Sequence, residues 1–421
     1  MPFIQSPPST SLTSNVLSGL TIVVGPVRLN REICVESHRD SNPGVGGSEF
    51  HSCQLAFLLA AAGARVVFEW HGVRPNFFEW SDSHDLKTKA DLQISNASEL
   101  VSTKSIFAEK VIIVSHHPHD GWIRRISSRF RDKQLIVVNV GRYQAFSNSL
   151  SRLQQVWLPA FSPSSGRTKA DIHREAIASD FTVGHISSMH KSKGFHIILK
   201  GWLRFAEKHG DIPTQFRVIG SSTLYSGGDD LQMEIPIAGL YGEQIKRILR
   251  KFPSAAEKVV FLGRVQGSVM AEIESWDIAL LNPLGIAEAD PIVFHDCTRA
   301  GVPVIAGSLF GLYDYMRHFP GLTAHSSFGI SRRLHSFITN ESLRERAHAR
   351  VEDLNLSLSE RRDAAEKAWI ELSSTFVDNK SKIRGLPLGR PEPTLLLRLA
   401  LGHLLTGLFR VASLLSYKVA R

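Results

Sequence analysis

The sequence predicts an α/β protein of two doubly wound, Rossmann-like domains, and three observations carry that prediction. Short, nearly continuous apolar runs alternate with helical patterns from about residue 20 to residue 310, as parallel strands covered on both faces require. Roughly ten such runs are more than one compact sheet of this length holds. The series is interrupted once, by the polar, turn-forming "SPSSGRTKADIHREAIASD" at 162–180, which reads as a hinge between domains.

Taken in order, the opening "MPFIQSPPSTSLTSN" lacks a basic stretch followed by a long apolar core. It reads as a short disordered arm, residues 1–20, and not as a secretory signal. An N-terminal domain over 21–165 follows, with strands "LTIVVGP", "ARVVFEW", "KVIIVSHH", "QLIVVNVG" and "QVWLPAF". A second domain over 179–362 carries "FTVGHIS", "QFRVIGS", "KVVFLGRV", "DIALLNP" and "VPVIAGS". Between strands lie helices such as "GFHIILKGWLRFAEKHG", where Phe195, Ile198, Leu199, Trp202 and Ala206 recur at helical spacing and Gly210 marks the end. After residue 340 the pattern is purely helical.

The 421 residues suit two domains, and an apolar fraction of 43% against 21% charged residues excludes a disordered chain. Cys34, Cys53 and Cys297 show neither metal nor disulfide spacing, which fits a reducing compartment. A formal net charge of +9 implies an anionic partner: nucleic acid, a nucleotide or an acidic membrane surface. Nucleic acid is the poorest of these, because the basic residues are not interleaved with stacking aromatics.

Each half carries a strand–loop–helix junction suited to anions. In "NPGVGGSEF", Gly46 and Gly47 stand ahead of a helix starting near Ser48. They let a ligand approach the free N–H groups of the helix start, or they simply make a tight turn. In "VGHISSMHKSKGFH", Lys193 and Gly194 precede an amphipathic helix, with Lys191 nearby. A lysine there opposes the positive dipole end; a bound phosphate would remove the conflict, and a solvated surface lysine is the alternative. Further on, "GIAEADPIVFHDCTRAG" predicts a helix from Pro291 to Ala300, capped by Asp290 and stopped at Gly301. Glu288 then lies in the loop above it and Asp296 more than one turn inside. Carboxylates beside a phosphate site repel a nucleic-acid backbone but suit a sugar nucleotide, which is rich in hydroxyl donors.

These segments resemble, in order across roughly residues 21–376, the GT-B glycosyltransferases and most closely glycosyltransferase family 4. The matching residues are Gly46-Gly47-Ser48-Glu49, Val183-Gly184-His185 with Lys193-Gly194, Phe261-Leu262-Gly263, and Glu288 with Pro291 and Asp296 before Gly301-Val302-Pro303-Val304. The resemblance implies a GT-B fold, two Rossmann-like domains facing a central cleft with C-terminal helices. It also implies a retaining, metal-independent transfer from a nucleotide sugar; the 18 histidines show no metal-ligand spacing. By the same resemblance Lys193 neutralises the leaving diphosphate, Glu288 binds donor-sugar hydroxyls, and Asp296 the ribose diol. Backbone groups around Arg264 and Val265 hold the base. His117, or else His119, in "SHHPHDGW" lies near the reacting carbons. Two residues depart from the pattern. Asp296 stands where Glu is usual, shorter by about 1.5 Å. His185 stands where Arg is usual, so that either a partly charged His185 or Lys191 takes the arginine's place.

The segment "GWIRRISSRFRDK" surrounds Trp122, Ile123, Ile126 and Phe130 with five basic residues, either a solvated helix or one resting on anionic lipid. Residues 363–376 suit the crossover helix of GT-B proteins and 377–393 a linker. In 394–421, Arg398, His403, Arg410 and Tyr417 fall on one side of a helical wheel and Leu397, Leu401, Leu404, Leu408 and Leu415 on the other. That predicts a helix lying on a membrane surface, or packed on the enzyme, and not a spanning one. The expectation is a hexosyltransferase on the cytoplasmic face of a membrane, passing sugar to a glycan or lipid-linked acceptor in surface-polysaccharide or glycolipid assembly. The alternative is a catalytically inactive GT-B-like binding protein.

Overall fold

A computed structural model describes residues 21–29, 52, 64–72, 92–96, 110–115, 134–139, 154–157, 181–222, 235–265, 269–285, 288 and 291–358. The expectations for the N-terminal arm, Gly46, Gly47, His117, His119, the basic segment 121–133, the hinge and everything beyond 358 lie outside them.

The described strands form two parallel sheets in two compact units. The first unit holds β1 (Thr21–Leu29), β2 (Arg65–Gly72), β3 (Leu92–Asn96), β4 (Lys110–Ser115), β5 (Gln134–Asn139) and β6 (Gln154–Trp157). Their order is β3-β2-β1-β4-β5-β6, the doubly wound arrangement whose strand order reverses beside β1. Val23 pairs with Val67 on one side and Ile113 on the other, so β1 is central, the position in a parallel sheet that calls for a Val/Ile run. It extends past Pro26 to Leu29, with a register shift between Val24 and Val27. Proline has no N–H to give the ladder, and a bulge absorbs the gap. β3 escapes the sequence reading because "LQISN" is short and half polar, as an edge strand is allowed to be.

The second unit holds β7 (Phe181–Ile186), β8 (Thr214–Ile219), β9 (Val259–Gly263), β10 (Ile278–Leu280) and β11 (Val304–Ile305) in the order β11-β10-β7-β8-β9. Helices α1 (Phe195–Lys208), α2 (Gly239–Leu249), α3 (Val269–Glu274), α4 (Ile292–Arg299) and α5 (Ser327–Thr339) join them, and residues 341–358 are helical. The apolar face predicted for α1 is the buried one, with Trp202 stacked on Phe216 of β8 at 5.2 Å between ring centroids. On its other flank Arg204 Nη1 donates to Ser327 Oγ of α5 at 2.8 Å. Gly184 on β7 leaves room for the buried Trp276, whose ring a Cβ would meet at 1.8 Å.

Helix α4 begins one residue later than expected, with Pro291 as its N-cap. It ends as predicted: Gly301 adopts φ +70°, Val302 N donates to Cys297 O, and Gly301 N to Thr298 O. These are the two bonds of a Schellman stop.

Candidate active site

In open α/β sheets ligands bind outside the carboxyl ends of the strands, where the order of winding reverses. In the second sheet that point lies between β7 and β10, since the chain winds from β7 outward to β8 and β9 and then returns to β10. The loop after β7 carries Lys193, and the loop after β10 carries Glu288.

The two residues meet. Lys193 Nζ lies 2.8 Å from Glu288 Oε1, across 95 residues of sequence, with about a fifth of each side chain exposed (23% and 16%). Lys193 closes a short 3₁₀ turn, Lys191–Lys193, and Gly194 then starts α1 at φ +71°. That left-handed backbone suits glycine, and a Cβ there would sit 3.0 Å from Pro283 of the β10 loop. Glu288 of the neighbouring loop thus offsets the dipole conflict expected at this lysine.

Glu288 is held from several directions. Asn282 Nδ2 donates to the same Oε1 at 3.0 Å, and Gly311 N donates to the Glu288 carbonyl at 3.1 Å. Phe310, just before Gly311, is one of two non-glycine residues at positive φ (+50°) among the described residues; the other is Met189, in the β7 loop. Non-glycine residues adopt this region at a conformational penalty and are held there by their surroundings. Both occur in the loops that carry or contact the pair. Asn282 was not a candidate in the sequence; its signal was only the "NP" that ends a strand.

His185 is a correction. Its ring is fully buried, Nδ1 donates to Leu280 O at 2.6 Å, and Nε2 faces Ser187 Oγ at 3.0 Å. It stacks on Phe195 at 5.0 Å. Burial lowers its pKa to about 4, against a smaller opposing effect of the Leu280 carbonyl, so the imidazole is neutral and not the partly charged stand-in for arginine. His196, on the first turn of α1, is likewise lowered to about 4, by burial and then by Lys191. Its backbone N–H donates to the Tyr241 hydroxyl at 3.1 Å, so a side chain of α2 caps this helix start.

The sign of the resulting pH dependence is fixed. A histidine whose folded pKa lies below its unfolded value of about 6.5 opposes protonation in the native state, so stability falls as pH drops from about 6.5 toward 4. For the fully buried His185 the loss is about 3 kcal/mol at the acid end. Thermal midpoints measured from pH 7 to pH 4.5 fall steadily, and less steeply in His185→Gln; parallel curves for the two proteins would remove His185 as a source.

Asp296 lies on α4, its side chain about a quarter exposed (25%), with Oδ1 3.4 Å from Arg299 Nη2. Burial raises its pKa, and Arg299 and then His295 pull the other way. It thus pairs with Arg299 of the same helix and not with Lys193 or Glu288. Arg264 and Val265 follow β9, and Gly220 N–Gly263 O at 2.7 Å ties the ends of β8 and β9 beside them. Among the described residues no three of His, Cys, Asp and Glu converge as metal ligands.

A cation and an acid side by side, at a helix start and a winding reversal, suit a ligand that carries both negative charge and hydroxyl groups. Two Rossmann-like units of this order define the class: the chain has the GT-B fold. No protein-family model matches the sequence, and no curated protein matches it significantly. Solved structures match throughout. Anabaena HepE, in complex with UDP and glucose, is 11% identical at a TM-score of 0.55, over 84% of this chain and 99% of that one. A glycosyltransferase from Rickettsia africae is 13% identical at 0.55, over 86% and 99%. The trehalose-6-phosphate synthase OtsA is 11% identical at 0.54, over 84% and 99%. At such identities the likeness shows the fold.

Proposed function

We propose that this chain is a retaining, metal-independent glycosyltransferase of family 4 type that moves a hexosyl group from a nucleotide sugar to a glycan or lipid-linked acceptor. The observation that carries it is the Lys193–Glu288 pair at the winding reversal of the second sheet. Lys193 supplies positive charge where a diphosphate would leave, and Glu288 accepts hydrogens from sugar hydroxyls. HepE was solved with UDP and glucose, which makes UDP-glucose the first donor to try. The test is a thermal-shift and turnover screen of UDP-, GDP-, ADP- and TDP-sugars, run with and without EDTA. Donor-dependent stabilisation with transfer or slow donor hydrolysis, unaffected by EDTA, is the expected result. No hydrolysis or transfer with any donor overturns it.

A second reading, a GT-B-like protein that binds a sugar nucleotide without turning it over, is favoured by one observation: the neutral, sealed His185 in place of arginine. Stabilisation by a donor without hydrolysis or transfer would support it.

The role of Asp296 in gripping a ribose diol predicts an ordered series. Asp296→Asn weakens donor binding about tenfold, the loss of one hydrogen bond to a charged group, while Asp296→Glu is tolerated. Equal donor affinity for wild type and Asn removes Asp296 from the site.

Surface-glycan assembly on the inner face of a membrane is part of the proposal. It is supported by the net charge of +9 and by the amphipathic pattern of 394–421. No helix among the described residues is long and apolar enough to cross a membrane. Deleting 394–421 releases the protein from the membrane fraction and leaves donor binding intact. A truncated protein that still sediments with membranes excludes this tail as the anchor.

A further inference from the structure

We infer that Asn282 is the positioning residue of Glu288, and that it dictates which carboxylate oxygen meets the donor. The inference rests on the transferase reading for its catalytic consequence, and on geometry alone for the contact.

The side chain of Asn282 is nearly sealed, with the residue 5% exposed. Its Oδ1 accepts from Leu284 N at 3.1 Å and Gly285 N at 2.9 Å. Both partners are donors, so the oxygen of the amide must face them, and a flipped amide would set donors against donors. Nδ2 is thereby turned to Glu288 Oε1, which it meets at 3.0 Å. With Lys193 Nζ on the same oxygen, Oε1 accepts two hydrogen bonds, whereas no bond to Oε2 is present among the described residues. The side chain remains partly exposed, so Oε2 is the oxygen left for a ligand hydroxyl.

The loop beneath is correspondingly tight. Gly285 sits at φ +65°, and a Cβ there would lie 2.7 Å from Leu309 O; at Gly307 it would lie 2.2 Å from Pro283 O. Asn282 therefore transmits a rigid backbone to a carboxylate six residues away. It touches no reacting atom and acts only through Glu288.

The full-length chain serves for the test. Asn282→Asp keeps the oxygen that accepts the two backbone amides but puts a second carboxylate against Glu288. Like charges at this distance raise the pair's affinity for a proton, so the variant's deficit is largest at pH 8 and shrinks toward pH 5. Among the described residues, Glu288 and its ion-pair partner Lys193 are charged groups at position 282, and His325, whose Nδ1 meets Pro283 O at 3.1 Å, is a titratable group against the same loop. His325 is present in every variant and cancels in the comparison. The midpoint deficit of Asn282→Asp is expected to change by about 3 °C over this range, and that change is lost in Asn282→Asp/Glu288→Gln measured against Glu288→Gln. Asn282→Ser, which removes the amide donor without adding charge, lowers kcat/KM about tenfold; it also lowers the midpoint, because Leu284 N and Gly285 N lose their acceptor, but only the effect on kcat/KM disappears on the Glu288→Gln background.

An unchanged pH profile in Asn282→Asp, or one that persists without Glu288, overturns the contact. A loss in Asn282→Ser that is as large without Glu288 as with it overturns the positioning role while the transferase reading stands. If wild type turns over no sugar nucleotide but the midpoint cycle shows coupling, the transferase reading and the catalytic consequence fall together and the contact is upheld.

Discussion

Lys193→Ala lowers kcat of the proposed transfer by about 10²-fold, the effect of removing one preorganised charge from a developing anion. The loss falls on kcat more than on KM, because a leaving diphosphate carries more charge in the transition state than in the bound donor. Folding suffers less. Lys193 is partly exposed, and Glu288, deprived of its cation, keeps the hydrogen bond from Asn282 and access to water. Lys193→Arg recovers part of the rate, since it restores charge but not the compact ammonium geometry. The measurement is turnover at saturating donor beside a thermal midpoint. Near wild-type turnover in Lys193→Ala removes it from the phosphate site, and a collapsed midpoint would show that the pair serves folding.

The fold was legible because burial on both faces leaves a strand little choice but Val, Ile, Leu and Phe. Ten of the eleven strands among the described residues announced themselves this way, and the edge strand β3, freed from that pressure, did not. The pair Lys193–Glu288 was legible only as two separate residues. Nothing in the spacing of 95 residues says that the ends of β7 and β10 lie side by side; the reversal of the winding says it. His185 misled for a related reason. At the end of a strand, a histidine in place of arginine suggests a ligand-facing group, and only the Leu280 carbonyl and the Phe195 ring reveal an imidazole turned inward. Asn282 was silent in the sequence because its role is to satisfy two amides of its own loop, and any turn-forming Asn-Pro looks the same.

Glu288→Gln keeps the fold and lowers kcat/KM by about 10- to 10²-fold, the loss of a hydrogen bond made to a charged acceptor. The network decides how the new amide must lie. Lys193 Nζ and Asn282 Nδ2 are both donors aimed at Oε1, so the glutamine oxygen takes that place and its NH₂ takes the place of Oε2. An acceptor offered to the sugar becomes a donor, while the two internal hydrogen bonds survive. Binding of the donor's nucleoside diphosphate, which carries no sugar, is spared, and Lys193, no longer neutralised by a carboxylate, holds it at least as well as before. Affinity for the complete sugar nucleotide falls. Calorimetric titration of both ligands into wild type and Glu288→Gln separates the two effects. If both ligands lose affinity in the same proportion, Glu288 acts through Lys193 or through the loop, and the sugar is recognised elsewhere.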